Sequence, residues 1–119
     1  MSTAARPLDV ITAGEAMVLF AAQQAGPLES VASFARTTAG AELNVAIGLA
    51  RLGLRVGYLS RLGDDSFGRH LAAAMDREGI DRRHVAIDPA NPTGFMLKSR
   101  SDDGSDPRIE YFRRGSAAS

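Results

Sequence analysis

Cysteine is absent from this 119-residue chain. That removes a disulfide frame, thiolate chemistry and a cysteine-based zinc site together. Lysine is almost absent as well. Lys98 is the only one, and the remaining basic residues are arginines, so a lysine-bearing phosphate loop has no candidate. Aromatic residues make up just 6% of the chain. Neither sign of charge dominates, because 14 basic residues face 14 acidic ones for a formal net charge of zero. Nucleic acid and a membrane surface are therefore not expected partners. No apolar run approaches spanning length and no secretory pattern opens the chain, which makes the cytoplasm the default location. What is present is 45% hydrophobic and 24% charged, the balance of a globular chain with one core.

Residues 1–8 are expected to be disordered. Val10 to Ala13 forms a short apolar strand ended by Gly14, and Met17 to Ala21 continues as extended chain. Gln23, Gln24 and Gly26-Pro27 mark a turn, and Val31 to Arg36 fits a return strand. The stretch from Thr38 to Gly53 organises the rest. A small-residue bend (Ala39, Gly40, Ala41) meets a helix that is apolar on nearly every side and is expected to be deeply buried. Arg55 to Ser60 reads as a buried strand, and Ser66 to Glu78 as an amphipathic helix capped by Asp64 or Asp65. His84 to Asp88 then gives a third parallel strand. Strand, helix, strand, helix, strand in this order predicts an α/β, doubly wound sheet with right-handed crossovers. Beyond Pro92, Phe95 to Arg100 and Arg108 to Arg114 predict an antiparallel pair with one wet face. The chain stops at Gly115 to Ser119, where another helix could start, and is expected to be a piece of a longer protein.

Several residues could carry chemistry. Gly40 lets a ligand approach the backbone, the helix start behind it presents N–H donors, and Asn44 in the first turn adds an amide. That set suits an oxygen-rich anionic small molecule, or an empty strand-to-helix connection. Tyr111 and Arg113 are two apart on an expected strand and share a face, fitting a carboxylate with neighbouring hydroxyls. The alternative is the solvated end of an edge strand. Glu15 follows Gly14 at a strand end, where α/β sheets place ligand groups. Asp64 and Asp65 read as caps, and His70 and His84 lack the spacing of a metal pair.

The run AGAELNVAIGLARLG followed by GYLSRLGDDSFG resembles the N-terminal signature of the ribokinase-like (PfkB-type) carbohydrate kinases. DVITAGEAMV, PTGFML and EYFRRGSAAS resemble the 2-keto-3-deoxygluconate kinase branch, and the resemblance runs from Asp9 to Ser119. It implies a ribokinase-like fold in which a small β-sheet lid, from about residues 17–36 and 95–114, closes over the sugar. By the family pattern Gly40 and Asn44 contact the sugar, while Tyr111 and Arg113 reach the acid end of a keto-deoxy-sugar acid. Many relatives carry Tyr where this chain has Met96. The implied reaction is transfer of the ATP γ-phosphoryl to a sugar hydroxyl with Mg²⁺. The family's catalytic Asp, in a Gly-Ala-Gly-Asp turn, has no counterpart here, so no catalytic residue is assigned and the nucleotide half is expected to be missing. The resemblance also leaves room for other substrates (fructose, ribose or a nucleoside), for a non-catalytic sugar-binding fragment, and for a homodimer through the lid sheet.

Overall fold

The computed structural model describes residues 7–119. The disorder expected at the start of the chain falls on residues 1–6, which lie outside the described residues. Order already reaches Leu8, whose side chain packs over Gly57. The chain runs β1 (Val10–Ala13), β2 (Met17–Ala25), β3 (Phe34–Ala39), α1 (Ala41–Arg51), β4 (Val56–Gly63), α2 (Ser66–Arg77), β5 (Val85–Asp88), β6 (Phe95–Arg100) and β7 (Ile109–Phe112). Among the described residues no helix is long and apolar enough to cross a membrane.

The three apolar runs pair in the order β1-β4-β5, all parallel, with Val10 opposite Val56 and Ser60 opposite Val85. Parallel neighbours need a crossover, and α1 and α2 supply the two. Both step the same way across the sheet, so right-handed connections place both helices on one face. There Val56, Tyr58 and Leu62 meet Leu43 and Ala46 of α1 and Leu71 and Met75 of α2 in one core. Strand alternation turns Ile11, Ala13, Leu59, Arg61 and Ala86 to the other face, where all are exposed. The deep burial expected of α1 is not found. Leu43 and Ala46 are its only buried residues, whereas Val45 is 53% exposed and Leu52, just past the helix, 80%. Apolar content carries no direction, and one layer contact buries one stripe of a helix.

The other four strands form a second sheet in the order β3-β2-β6-β7. β2 pairs antiparallel with β3 and parallel with β6, and β6 pairs antiparallel with β7. The return strand begins three residues later than its pattern suggested. The carbonyl of the Gln24 side chain takes the N–H groups of Ala32 and Ser33, each at 3.1 Å, and holds that segment as a loop. Ala39, expected in the bend, is a ladder residue opposite Met17, as Thr38 before it is opposite Val18. The last strand is shorter than expected, ending at Phe112. Four phenylalanines fasten this sheet to α2. Phe67 of α2 lies edge-on to Phe20 at 5.5 Å and Phe95 at 5.4 Å, and Phe112 stacks on Phe95 at 4.8 Å.

Two junctions fix how the sheets meet. At the first, Asp65 caps α2: its Oδ1 accepts from Gly68 N at 2.8 Å and Thr93 Oγ1 at 2.7 Å, and its Oδ2 from Thr93 N at 2.9 Å. One carboxylate therefore ties the helix start to the entry of β6. At the second, the β2–β3 hairpin is inserted between β1 and α1, and its ends are closed by Gly40. Gly40 has φ 126°, and a Cβ there would lie 2.6 Å from the carbonyl oxygen of Glu15.

Gly40→Ala must either strain that backbone or push the ends apart, so it should cost roughly 1–3 kcal/mol, read by urea denaturation. Unchanged stability would mean the hairpin is closed elsewhere. Asp65→Ala should cost about 2 kcal/mol, because it removes a cap and strands a buried Thr93 N–H. Burial raises the Asp65 pKa, but hydrogen bonds from Thr93 and Gly68 and the nearby Arg69 outweigh it and hold it below the ordinary 3.8. A depressed carboxylate stabilises the fold above its unfolded pKa and loses that contribution as pH falls through the folded value. Stability should therefore drop more steeply on acidification below 3.8 in the parent than in Asp65→Ala.

Candidate functional site

β1 ends beside the middle of β4, with Gly14 N–H donating to Leu59 O at 3.3 Å and Ser60 Oγ to Gly14 O at 2.6 Å. Open α/β sheets leave ligand space outside such carboxyl ends. Here a hollow of about 660 Å³ is lined by Gly14, Glu15, Glu42, Ser60, Arg61 and Arg113. Its walls are the end of β1, the start of α1, the middle of β4 and the segment after β7. A hollow of about 760 Å³ lies instead at the far turns of the second sheet, walled by loop residues such as Asp102 and Asp103. Their charges are already taken up locally, Asp102 by Arg100 at 3.0 Å and Asp103 by Ser101 and Ser105.

Glu15 carries a buried carboxylate just past the end of β1. Its side chain is 7% exposed, Ser116 Oγ donates to its Oε2, and Arg113 Nε stands 3.1 Å from its Oε1. That last approach is not aligned as a hydrogen bond, so Oε1 has a charge contact and no donor. The Arg113 guanidinium is half-exposed. Glu42 folds its carboxylate over Gly14, leaving no room for a side chain there. Beneath them Tyr58 is 1% exposed and its hydroxyl has no partner. Burial first, then Glu42 and Glu15, push its pKa up and keep the phenol neutral. On the far wall Arg61 reaches Asp88 Oδ2 at 3.5 Å.

The residues singled out from sequence fall in different places. Gly40 sits directly behind Glu15, and its carbonyl accepts from Asn44 N at 2.9 Å as α1 begins. Asn44 is exposed on the first turn, and no side chain caps that helix start. Arg113 lines the hollow; Asn44 and Tyr111 do not. Tyr111 is exposed on β7 opposite Met96, while Arg113 lies beyond the end of that strand, so strand alternation does not extend to it. Met96 is buried with Met17 and Ala39, packing the second sheet. Asp65 is the cap, and Asp64 is exposed beside Arg69 at 3.2 Å. His70 lies on α2 with its pKa held down by burial and then by Arg36 and Arg77. Sequence reasoning missed Ser116 and Thr93 altogether. A hydroxyl in a loop carries no signal of the carboxylate it will meet 101 residues away in the chain.

A nucleotide triphosphate and its metal do not fit the groups present. Among the described residues no three metal-ligating side chains gather, and the hollow sets Glu15 and Glu42 beside Arg61 and Arg113 instead of presenting net positive charge.

The chain matches the pfkB family of carbohydrate kinases over residues 8–119. It is 45% identical over 113 residues to the 2-dehydro-3-deoxygluconokinase of Bacillus subtilis (strain 168), covering 94% of this chain and 35% of that protein. Among solved structures it is similar to a PfkB protein from Polaromonas sp. JS666, with 60% identity, a TM-score of 0.91, and coverage of 94% of this chain and 37% of that one. It is also similar to a sugar kinase of Pyrococcus horikoshii in complex with ATP, at 27% identity and a TM-score of 0.84, over 91% of this chain and 35% of that one. The chain thus spans about a third of the length of the proteins it matches. With the signature bend and its helix, the two sheets and the match along nearly the whole chain in agreement, the protein belongs to the PfkB family of carbohydrate kinases.

Proposed function

We propose that this chain is the sugar-binding and lid part of a longer ATP-dependent kinase that phosphorylates 2-keto-3-deoxygluconate to its 6-phosphate. The observation that carries the reading is Arg113, a half-exposed guanidinium where the two sheets meet, in a chain nearly half identical to a 2-dehydro-3-deoxygluconokinase. A guanidinium fork matches a carboxylate in geometry and charge. In this reading Arg113 takes the acid group of the sugar, and Tyr111 offers its hydroxyl from β7 just before it. Asn44 and the backbone at Gly40 take sugar hydroxyls from the start of α1, and the second sheet is the lid that carries Arg113 to them. ATP with Mg²⁺, held by parts of the protein outside this chain, supplies the phosphoryl group and neutralises its charge. The relative in complex with ATP supports ATP as the phosphoryl donor.

In the complete protein, Arg113→Ala should raise KM for 2-keto-3-deoxygluconate by about ten- to 150-fold, the loss of a charged hydrogen bond worth about 1.5–3 kcal/mol. An unchanged KM in steady-state kinetics removes Arg113 from the site. The same assay with fructose, ribose and a nucleoside tests the substrate, since a neutral sugar used as well as the acid leaves the guanidinium without a purpose. The outer strand also favours a second copy as partner, because β7 leaves Ile109, Tyr111 and Phe112 exposed on a sheet edge. Ile109→Lys should then shift sedimentation of the complete protein from dimer to monomer, and a monomeric parent ends that part of the reading.

A further inference from the structure

We infer that Glu15 is the positioning residue for Arg113, a buried carboxylate that holds the guanidinium in place by its Nε edge and leaves the other edge for a ligand's acid group. This rests on the reading of Arg113 as the acid-binding residue. Arg113 lies beyond the last ladder residue of β7, so no strand pairing fixes its backbone, and its guanidinium is half-exposed. A long side chain on such a segment samples many rotamers, and freezing it costs binding free energy. Glu15 is fixed from three directions. It stands two residues past β1, Gly94 at the entry of β6 packs against its Oε2, and Ser116 Oγ donates to the same oxygen.

Oε1 has no hydrogen-bond donor, and Arg113 is the cation beside it. A carboxylate 93% removed from water holds such a cation strongly, because moving the cation away leaves an uncompensated buried charge. The guanidinium is therefore kept at the junction of the two sheets, where the hollow opens. Gly94 lies against both Glu15 Oε2 and the Arg113 Cβ, so a side chain there would press on the pair. Two arrangements predict opposite results. If Glu15 orients Arg113, removing its charge weakens binding of an acid; if Glu15 competes with the ligand for Arg113, the same change strengthens it.

The test uses the complete protein and Glu15→Gln, which keeps the shape and still accepts from Ser116. Ser116→Ala, which loosens the carboxylate without removing its charge, is the second variant. The first readout needs no substrate: the Nε–H signal of Arg113 in nitrogen-15 NMR, assigned with Arg113→Lys. Its relaxation should report an ordered side chain in the parent and a several-fold more mobile one in both Ser116→Ala and Glu15→Gln. Unchanged mobility in both variants overturns the positioning role whatever the substrate proves to be. The second readout is kinetic. Glu15→Gln should raise KM for the keto-deoxy acid about tenfold with kcat unchanged, and leave KM for a neutral sugar unaltered. A lowered KM for the acid, or equal changes for acid and neutral sugar, overturns it. A parent that uses no sugar acid while the NMR result holds refutes the substrate reading and not the Glu15–Arg113 contact.

Discussion

The architecture depends on a single close approach, the backbone of Gly40 against the carbonyl of Glu15. The chain leaves the parallel sheet after β1, makes the β2–β3 hairpin, and must return to the same spot to begin α1. Met17 and Ala39 close the ladder, and the next residue back has to pass within contact of the residue on which the chain left. Only a residue without a Cβ passes there. Because the exit and the return are adjacent, the strand end carrying Glu15 and the helix start carrying Asn44 are brought together by the same contact. The hairpin is then free to extend as one arm of a second sheet without disturbing the first.

The second sheet is fastened at its other side by different chemistry. Asp65 spends both carboxylate oxygens on α2 and Thr93, and the cluster of Phe20, Phe67 and Phe95 fills the space between α2 and the strands. A polar clamp sets the angle at which β6 departs, while the aromatic contact supplies area. With both in place, the segment after β7 is delivered over the end of β1, where Ser116 and Arg113 reach Glu15. Acidic and basic residues at this junction nearly balance, so a ligand there is selected by the orientation of single groups more than by a net field. That is the condition under which a residue such as Glu15, holding one guanidinium in place, matters.

Some of this was legible along the chain. The small-residue bend before an apolar helix, the two βα units and the cap before Ser66 have local signatures, in turn chemistry and periodicity, and each stands within a few residues of its expected place. The return strand was misplaced because a single side chain, Gln24, took the backbone donors that alternation had assigned to a ladder. α1 was read as buried all round because hydrophobic content does not say which side another layer will cover. Glu15 could be marked only as a carboxylate at a strand end. Its burial and its two partners come from residues about a hundred positions later.

The sequence by itself determined the elements, their order, the parallel sheet and the family, since these follow from short-range periodicity and from one contiguous motif. Only the tertiary structure decided which carboxylate is buried, which arginine answers it, and that Arg113 and Tyr111 part company at the end of β7. Local patterns act over a helical turn or a strand. A charge contact across the junction of two sheets depends on packing between segments that share no local pattern.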